Sequence, residues 1–218
     1  STSATATVAL GAGALTLNGP NNTNSSYAGT ITGTGASSLN VSGTGKVYLS
    51  GNNSGFAGAT NITNGTLNAS GSNSVLGTGT VSVSSSGNLQ LQGGISLANT
   101  VTINGTGTLG NGAIENFAGT NTLSGAITLA GTSRVQSDGG TLTLGGNVAL
   151  GANTLTAGGV GNVSITGLIA GTGGLIKDGA GTLTPSNGGN TVSGSSIIAA
   201  RTVIANAWSV LNNTAALS

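Results

Sequence analysis

A stretch early in the chain returns near its end with the same internal spacing. Gly43-Thr44-Gly45-Lys46-Val47-Tyr48-Leu49-Ser50 leads through Gly51-Asn52-Asn53-Ser54-Gly55 into Phe56-Ala57-Gly58-Ala59-Thr60-Asn61-Ile62. The later copy is Gly179-Ala180-Gly181-Thr182-Leu183-Thr184-Pro185-Ser186, a turn over 187–191, then Val192-Ser193-Gly194-Ser195-Ser196-Ile197-Ile198. Gly43/Gly179, Gly58/Gly194 and Ile62/Ile198 all share one offset. A third copy runs from Gly11 to Ile31 and includes Gly29, and Asn121 to Gly125 echoes Asn190 to Gly194. Self-similarity of this kind marks a repeat array, in which each unit packs mainly on its neighbours. The constant offset predicts that Gly58 and Gly194 occupy equivalent positions in rungs sharing one register.

Each unit is an alternating strand, a Gly/Asn/Ser turn and another alternating strand. Val, Ile and Leu recur at every second position, as in Val81-Ser82-Val83, Leu89-Gln90-Leu91, Val101-Thr102-Ile103 and Leu142-Thr143-Leu144. That is the period of a strand with one face buried. No helical spacing is sustained from Ser1 to Ser195. The pattern predicts an all-β chain: a parallel β-helix of roughly nine to eleven rungs, each about 20–24 residues long, with a sandwich as the weaker choice. One repeat domain spans 1–218, with its clearest copies at 11–31, 43–76 and 169–211. The Gly-poor tail from Ile197 reads as a further rung and corner, with a short capping helix as the alternative.

Only seven of the 218 residues are charged, and the formal net charge is +1. Stacked rungs explain this scarcity: a charge would face its own copy at strand spacing, whereas Asn, Ser and Thr form hydrogen-bonded ladders. Disorder combines low hydropathy with high net charge; here mean hydropathy is positive, so the chain is read as ordered. Near-neutrality argues against nucleic-acid binding, which needs clustered Lys and Arg. No apolar run reaches membrane-spanning length, so no membrane insertion by this segment is expected. The chain begins at Ser1 without Met or a signal peptide, which reads as a processed or partial protein.

The run Ile169-x-Gly171-x-Gly173-Gly174-Leu175-Ile176-Lys177-x-Gly179-x-Gly181-Thr182-Leu183-Thr184, then Asn190-x-Val192-x-Gly194-x-x-Ile197, resembles the passenger-associated β-strand repeat of autotransporter proteins. Gly43-x-Gly45-Lys46-Val47 with Phe56-x-Gly58-x-Thr60-x-Ile62 is similar to it. The sequence departs from that pattern at Val192, where the family usually has an aromatic, and at Pro185, which has no ladder donor. The resemblance implies a right-handed parallel β-helix exported to the surface of a Gram-negative-type bacterium. It implies no single activity, since such passengers include adhesins, proteases, esterases and inert stalks.

Chemistry-bearing residues are sparse. There is no His or Cys, which excludes His-based triads and thiol nucleophiles. Glu115, Asp138 and Asp178 are dispersed along the chain, without the clustering that polysaccharide cleavage needs. The prediction is therefore no enzyme, no catalytic residue, no metal and no cofactor. Gly158-Gly159-Val160-Gly161-Asn162-Val163 approaches a calcium-binding roll but has Val163 where the carboxylate belongs. Gly105-x-Gly107-x-x-Gly110 matches a dinucleotide fingerprint by chance in a chain with 42 glycines and no βαβ context. Thr-x-Thr pairs such as Thr141/Thr143 recur as in ice-binding faces, though outward Thr is ordinary in strands. Tyr27, Tyr48, Phe56, Phe117 and Trp208 are too few for a sugar platform and read as corner plugs or end caps.

Together these features predict a non-enzymatic structural β-solenoid, a subunit or segment of a bacterial surface fibre serving scaffolding or adhesion to a host or abiotic surface. A stalk within a longer passenger adhesin is the alternative; an ice-binding face and a polysaccharide-degrading enzyme are minor ones. Ser1 to Leu10 is a flat, uncharged strand with no Pro, and nothing blunts it against pairing with another edge. The predicted partner is a second copy, joined end to end through Val8 and Leu10.

Overall fold

The computed structural model describes residues 6–19, 24–199 and 216–217. The chain is all-β, and its strands stack in parallel into a β-solenoid of about nine rungs. Each rung has three faces. The first face carries Ala14–Leu17, Ser38–Val41, the opening of Ala59–Ala69 and of Val81–Gln92, then Val101–Gly105, the opening of Ile127–Ser137, Val148–Gly151, Ile169–Gly171 and Thr191–Val192. The second face begins with Asn24–Tyr27 and Lys46–Leu49 and ends with Leu155–Gly158, Leu175–Lys177 and Ile197–Ile198. These two faces merge into a 16-stranded sheet, because Ala59–Ala69, Val81–Gln92 and Ile127–Ser137 run across the corner between them. The third face is a five-stranded sheet from Ser96–Leu97 to Leu183–Pro185, preceded by the pair Thr7–Ala9 and Thr30–Thr32.

Alternation builds the core. Along the first face Leu39/Val41, Ile62, Val81/Val83, Val101/Ile103, Ile127/Leu129 and Val148/Leu150 point inward and are almost wholly buried. Each such aliphatic chain contributes roughly 1.5–3 kcal/mol relative to exposure. Leu67, Leu89, Ile114, Val135 and Leu155 do the same on the second face, and Leu97, Leu123, Leu144, Ile165 and Leu183 on the third. Phe56 fills the interior of the second rung at 1% exposure, a plug as its sequence context predicts. Pro185 aligns with Ile165 on the outermost described strand of the third face, where its missing N–H interrupts no inner ladder.

The rung length is not constant. The step from Val81 to its partner Val101 is the shortest along the first face, and the next step, from Val101 to Ile127, is the longest. The ladder therefore corrects the equivalence that the constant offset predicts. Following partners upward from Thr60 through Val81, Val101, Ile127, Val148 and Ile169 brings the chain to Asn190, whereas the offset carries Thr60 to Ser196. Gly58 stands at the corner entering the first face, in one column with Gly79, Gly125, Gly146 and Gly167; Gly194 stands one corner later, above Gly173. Likewise Gly43 and Gly45 precede the second-face strand Lys46–Leu49, whereas Gly179 and Gly181 precede the third-face strand Leu183–Pro185. Gly29 precedes Thr30–Thr32 on the third face. The cause is physical: all three faces use the same short alternating strand and Gly/Asn corner, so a sequence copy does not say which face it forms.

Ser1 to Thr5, Pro20 to Thr23, Arg201 and Trp208 lie outside the described residues. So does the choice between a rung and a capping helix for most of the tail; within it, Ile197 and Ile198 pair in parallel with Ala216 and Leu217.

Candidate functional site: a polar chain along the second face

All six charged residues that the structure describes, Lys46, Glu115, Arg134, Asp138, Lys177 and Asp178, sit on the second face or at the end of one of its strands. Stacking places Tyr48, Asn68, Gln90, Glu115 and Gln136 in one column. Residues remote in sequence become a continuous hydrogen-bonded chain. Lys46 Nζ donates to Gln90 Oε1 at 3.0 Å and Asn68 Nδ2 donates to the same oxygen at 2.7 Å. Gln90 and Asp138 both hydrogen-bond Glu115. Gln136 Nε2 donates to Asp138 Oδ1 at 2.6 Å, Arg134 Nε to Gln136 Oε1 at 3.0 Å, and Arg134 Nη1 to Asp178 Oδ2 at 2.6 Å.

Glu115 is the centre of this chain. It is 2% exposed and stands between Gln90 and Gln136 in the column. Burial pushes its carboxyl up to about 7, and the hydrogen bond to Asp138 and that group's negative charge push the same way; Gln90 and Lys46 oppose them. With Gln90 Oε1 occupied by two donors, its Nε2 is the group that faces Glu115. A protonated Glu115 is then isosteric with Gln, and its O–H donates to the Asp138 carboxylate. Lys177 points inward and is 2% exposed. Its Nζ donates to the carbonyls of Asp178 and Gly179, and burial lowers its pKa, with Asp178 opposing and Arg134 reinforcing that shift.

The aromatics divide by environment. Phe117 is 45% exposed. It occupies a bulge between Asn116, paired with Leu91, and Ala118, paired with Gln92, and a bulge re-aims a side chain in this way. The structure thereby corrects the corner-plug expectation for Phe117. Lys46 Nζ lies 5.2 Å from its ring centre and 5.7 Å from that of Tyr48.

The three carboxylates separated in sequence are thus drawn onto one face, and Glu115 meets Asp138 directly. Sequence reading missed the amides Asn68, Gln90 and Gln136 that join them. Their signal was spacing: Gln90 precedes Glu115 by one rung, and Gln136 follows it by one. Among the described residues no group of three or more His, Cys, Asp or Glu is arranged to hold a metal ion. Thr141/Thr143 stack on Thr120/Thr122 and beneath Asn162/Ser164 on the third face, a short hydroxyl strip broken by Asn162. Comparison with protein-family models, curated proteins and solved structures found no match for the chain.

Proposed function

We propose that this chain is a rod-forming structural module, the subunit of an extracellular fibre on a Gram-negative-type bacterial surface that serves scaffolding or adhesion. The observation that carries this reading is the partly exposed apolar edge of the first described rung. Leu10, Leu15, Leu17 and Tyr27 are only partly buried. Leu15, Leu17 and Tyr27, with Val8, Ile31 and Val47, line an apolar cavity of about 240 Å³. One rung further in, Leu39 and Val41 at the matching positions are 1% and 0% exposed.

A further rung laid on this end would bury those side chains and pair the outer edges of Thr7–Ala9, Ala14–Leu17 and Asn24–Tyr27. The occupant proposed is a rung at the opposite end of a second copy, since the described rungs all stack with one strand spacing and direction. Apolar burial at about 25 cal/mol per Å² contributes several kcal/mol before association costs. The non-enzymatic reading is supported by Glu115 and Asp138 bonding each other, since carboxyls acting across a glycosidic bond stand about 5–9.5 Å apart. Export and surface placement rest on the resemblance to autotransporter repeats.

Analytical ultracentrifugation tests the fibre. The intact chain is expected to associate with rising concentration, and Val8→Lys to remain monomeric. Lys46, on the second rung, is the nearest described charge to that end, so added salt should change the association little. A stable monomer at high concentration overturns the fibre and leaves the alternative, a stalk segment of a longer passenger.

A further inference from the structure

The longest rung carries an overhang that the stacking itself does not require. Between Val101–Gly105 and Ile114–Ala118 the extra residues form a tight turn at Thr108–Gly110. Thr108 Oγ1 ties this turn back across two earlier rungs, its single O–H shared between Ser86 O at 2.8 Å and Gly65 O at 3.1 Å. At its tip Leu109 is 93% exposed with φ 57°, the one left-handed non-glycine among the described residues. A branched side chain resists that backbone region, and no burial of Leu109 offsets the strain. Strain held at an exposed tip beside a groove is characteristic of ligand clamps.

Beneath the overhang lies a shallow groove of about 220 Å³, whose walls include Asn24, Lys46, Thr66, Gln90, Asn111 and Glu115. These come from the first, second, third, fourth and fifth rungs, so the groove runs along the rod for four strand spacings of about 4.8 Å. Phe117, turned outward by its bulge, stands beside Lys46.

We propose that this groove binds a neutral oligosaccharide lying along the rod axis, its hydroxyls paired with the accessible amides of Asn24 and Asn111 and one ring stacked on Phe117. The binding site is independent of the fibre reading. The chemistry selects the ligand. Amide and hydroxyl groups donate and accept together, as vicinal sugar hydroxyls require, and an exposed aromatic beside them offers an apolar face. An anionic polymer is disfavoured: Lys46 is the groove's one cation, it is engaged by Gln90, and Glu115 and Asp138 lie beyond it. An extended peptide finds no free strand edge from Lys46–Leu49 to Ile114–Ala118, because these second-face strands are paired on both sides, and the free edge of Asn24–Tyr27 lies only at the groove's end.

The test is titration calorimetry of the whole chain with soluble gluco-, manno- and galacto-oligosaccharides, with oligouronates as the acidic arm. Wild type is expected to bind at least one neutral series, and Phe117→Ala and Leu109→Gly each to weaken that binding about tenfold. Both side chains are exposed, so melting curves should show both variants folded. Leu109→Gly removes the clamp residue while relaxing its backbone. No neutral series bound at millimolar concentration, binding of oligouronates alone, or equal binding by wild type and both variants would each overturn the proposal.

Discussion

Arg134 Nη1 lies 2.6 Å from Asp178 Oδ2, an ion pair that joins strands two rungs apart along the rod. Gly158, in line with Gln136, leaves the space for this pair: a Cβ there would overlap Asp178 Oδ1 and Arg134 Nη2. Asp178 is 38% exposed, so the pair itself contributes little, and Arg134→Gln should cost about 1 kcal/mol or less in urea unfolding. High salt should shrink that difference. Gly158→Ala should destabilise more than Arg134→Gln, because its methyl displaces the ends of both side chains and so breaks the pair while crowding the site. Equal or smaller destabilisation by Gly158→Ala would show that the pair moves aside freely.

Glu115 makes stability depend on pH with a definite sign. Its folded pKa, about 7, lies above the ordinary 4.5, so between those values the folded chain holds a proton that the unfolded chain has released. Stability from this group is complete below about pH 4.5, falls as pH rises toward 7, and is level above. Thermal melts from pH 4 to 8 should show that decline in wild type and lose it in Glu115→Gln, which keeps the donor to Asp138. A decline that persists unchanged in Glu115→Gln would assign it to another group.

The glycine column at the corner entering the first face is closed by backbone, not by side chains. A Cβ on Gly146 would overlap the carbonyl oxygen of Gly125, and one on Gly167 would overlap that of Gly146. Carbonyls bound into a ladder have little freedom to retreat, so Gly146→Ala should cost about 1–3 kcal/mol. Gly188→Ala is the control. A Cβ there meets nothing within 4 Å, and the change should stay within about 0.5 kcal/mol.

Two phenylalanines should behave oppositely. Phe56→Ala empties the interior of the second rung and should cost about 3–5 kcal/mol. Phe117→Ala removes a ring that is 45% exposed and should leave unfolding nearly unchanged. Comparable losses from both would mean that Phe117 is held by packing rather than presented by its bulge.

The sequence discloses far more about the interior than about the surface. Alternation in Val81-Ser82-Val83 or Leu142-Thr143-Leu144 states which residues point inward, and burial follows it at each of these apolar positions. What alternation does not carry is the phase of the rung. Gly58 and Gly194 look alike because both precede a short alternating strand, yet they stand at successive corners. The polar chain was hidden for the same reason. Whether Glu115 meets Gln90 or Asp138 depends on the length of each rung, and the long rung between Val101 and Ile127 displaces every later partner from the position a uniform repeat would give it. The groove was hidden because its overhang, Thr108 to Asn111, has neither strand nor helix periodicity.

Because ladder partners among the described strands are never further apart in sequence than Gly105 and Ser133, the loop that must close to add a rung stays short however long the rod becomes. Loop-closure entropy grows only as the logarithm of that length, so each addition meets nearly the same barrier, and growth from any formed rung proceeds by templating on its free edges. A chain delivered end-first can therefore fold behind its own leading edge, one rung at a time, without waiting for the distant terminus. The rung spanning Val101 to Ile127 closes the longest loop and is the step at which such progressive folding should pause.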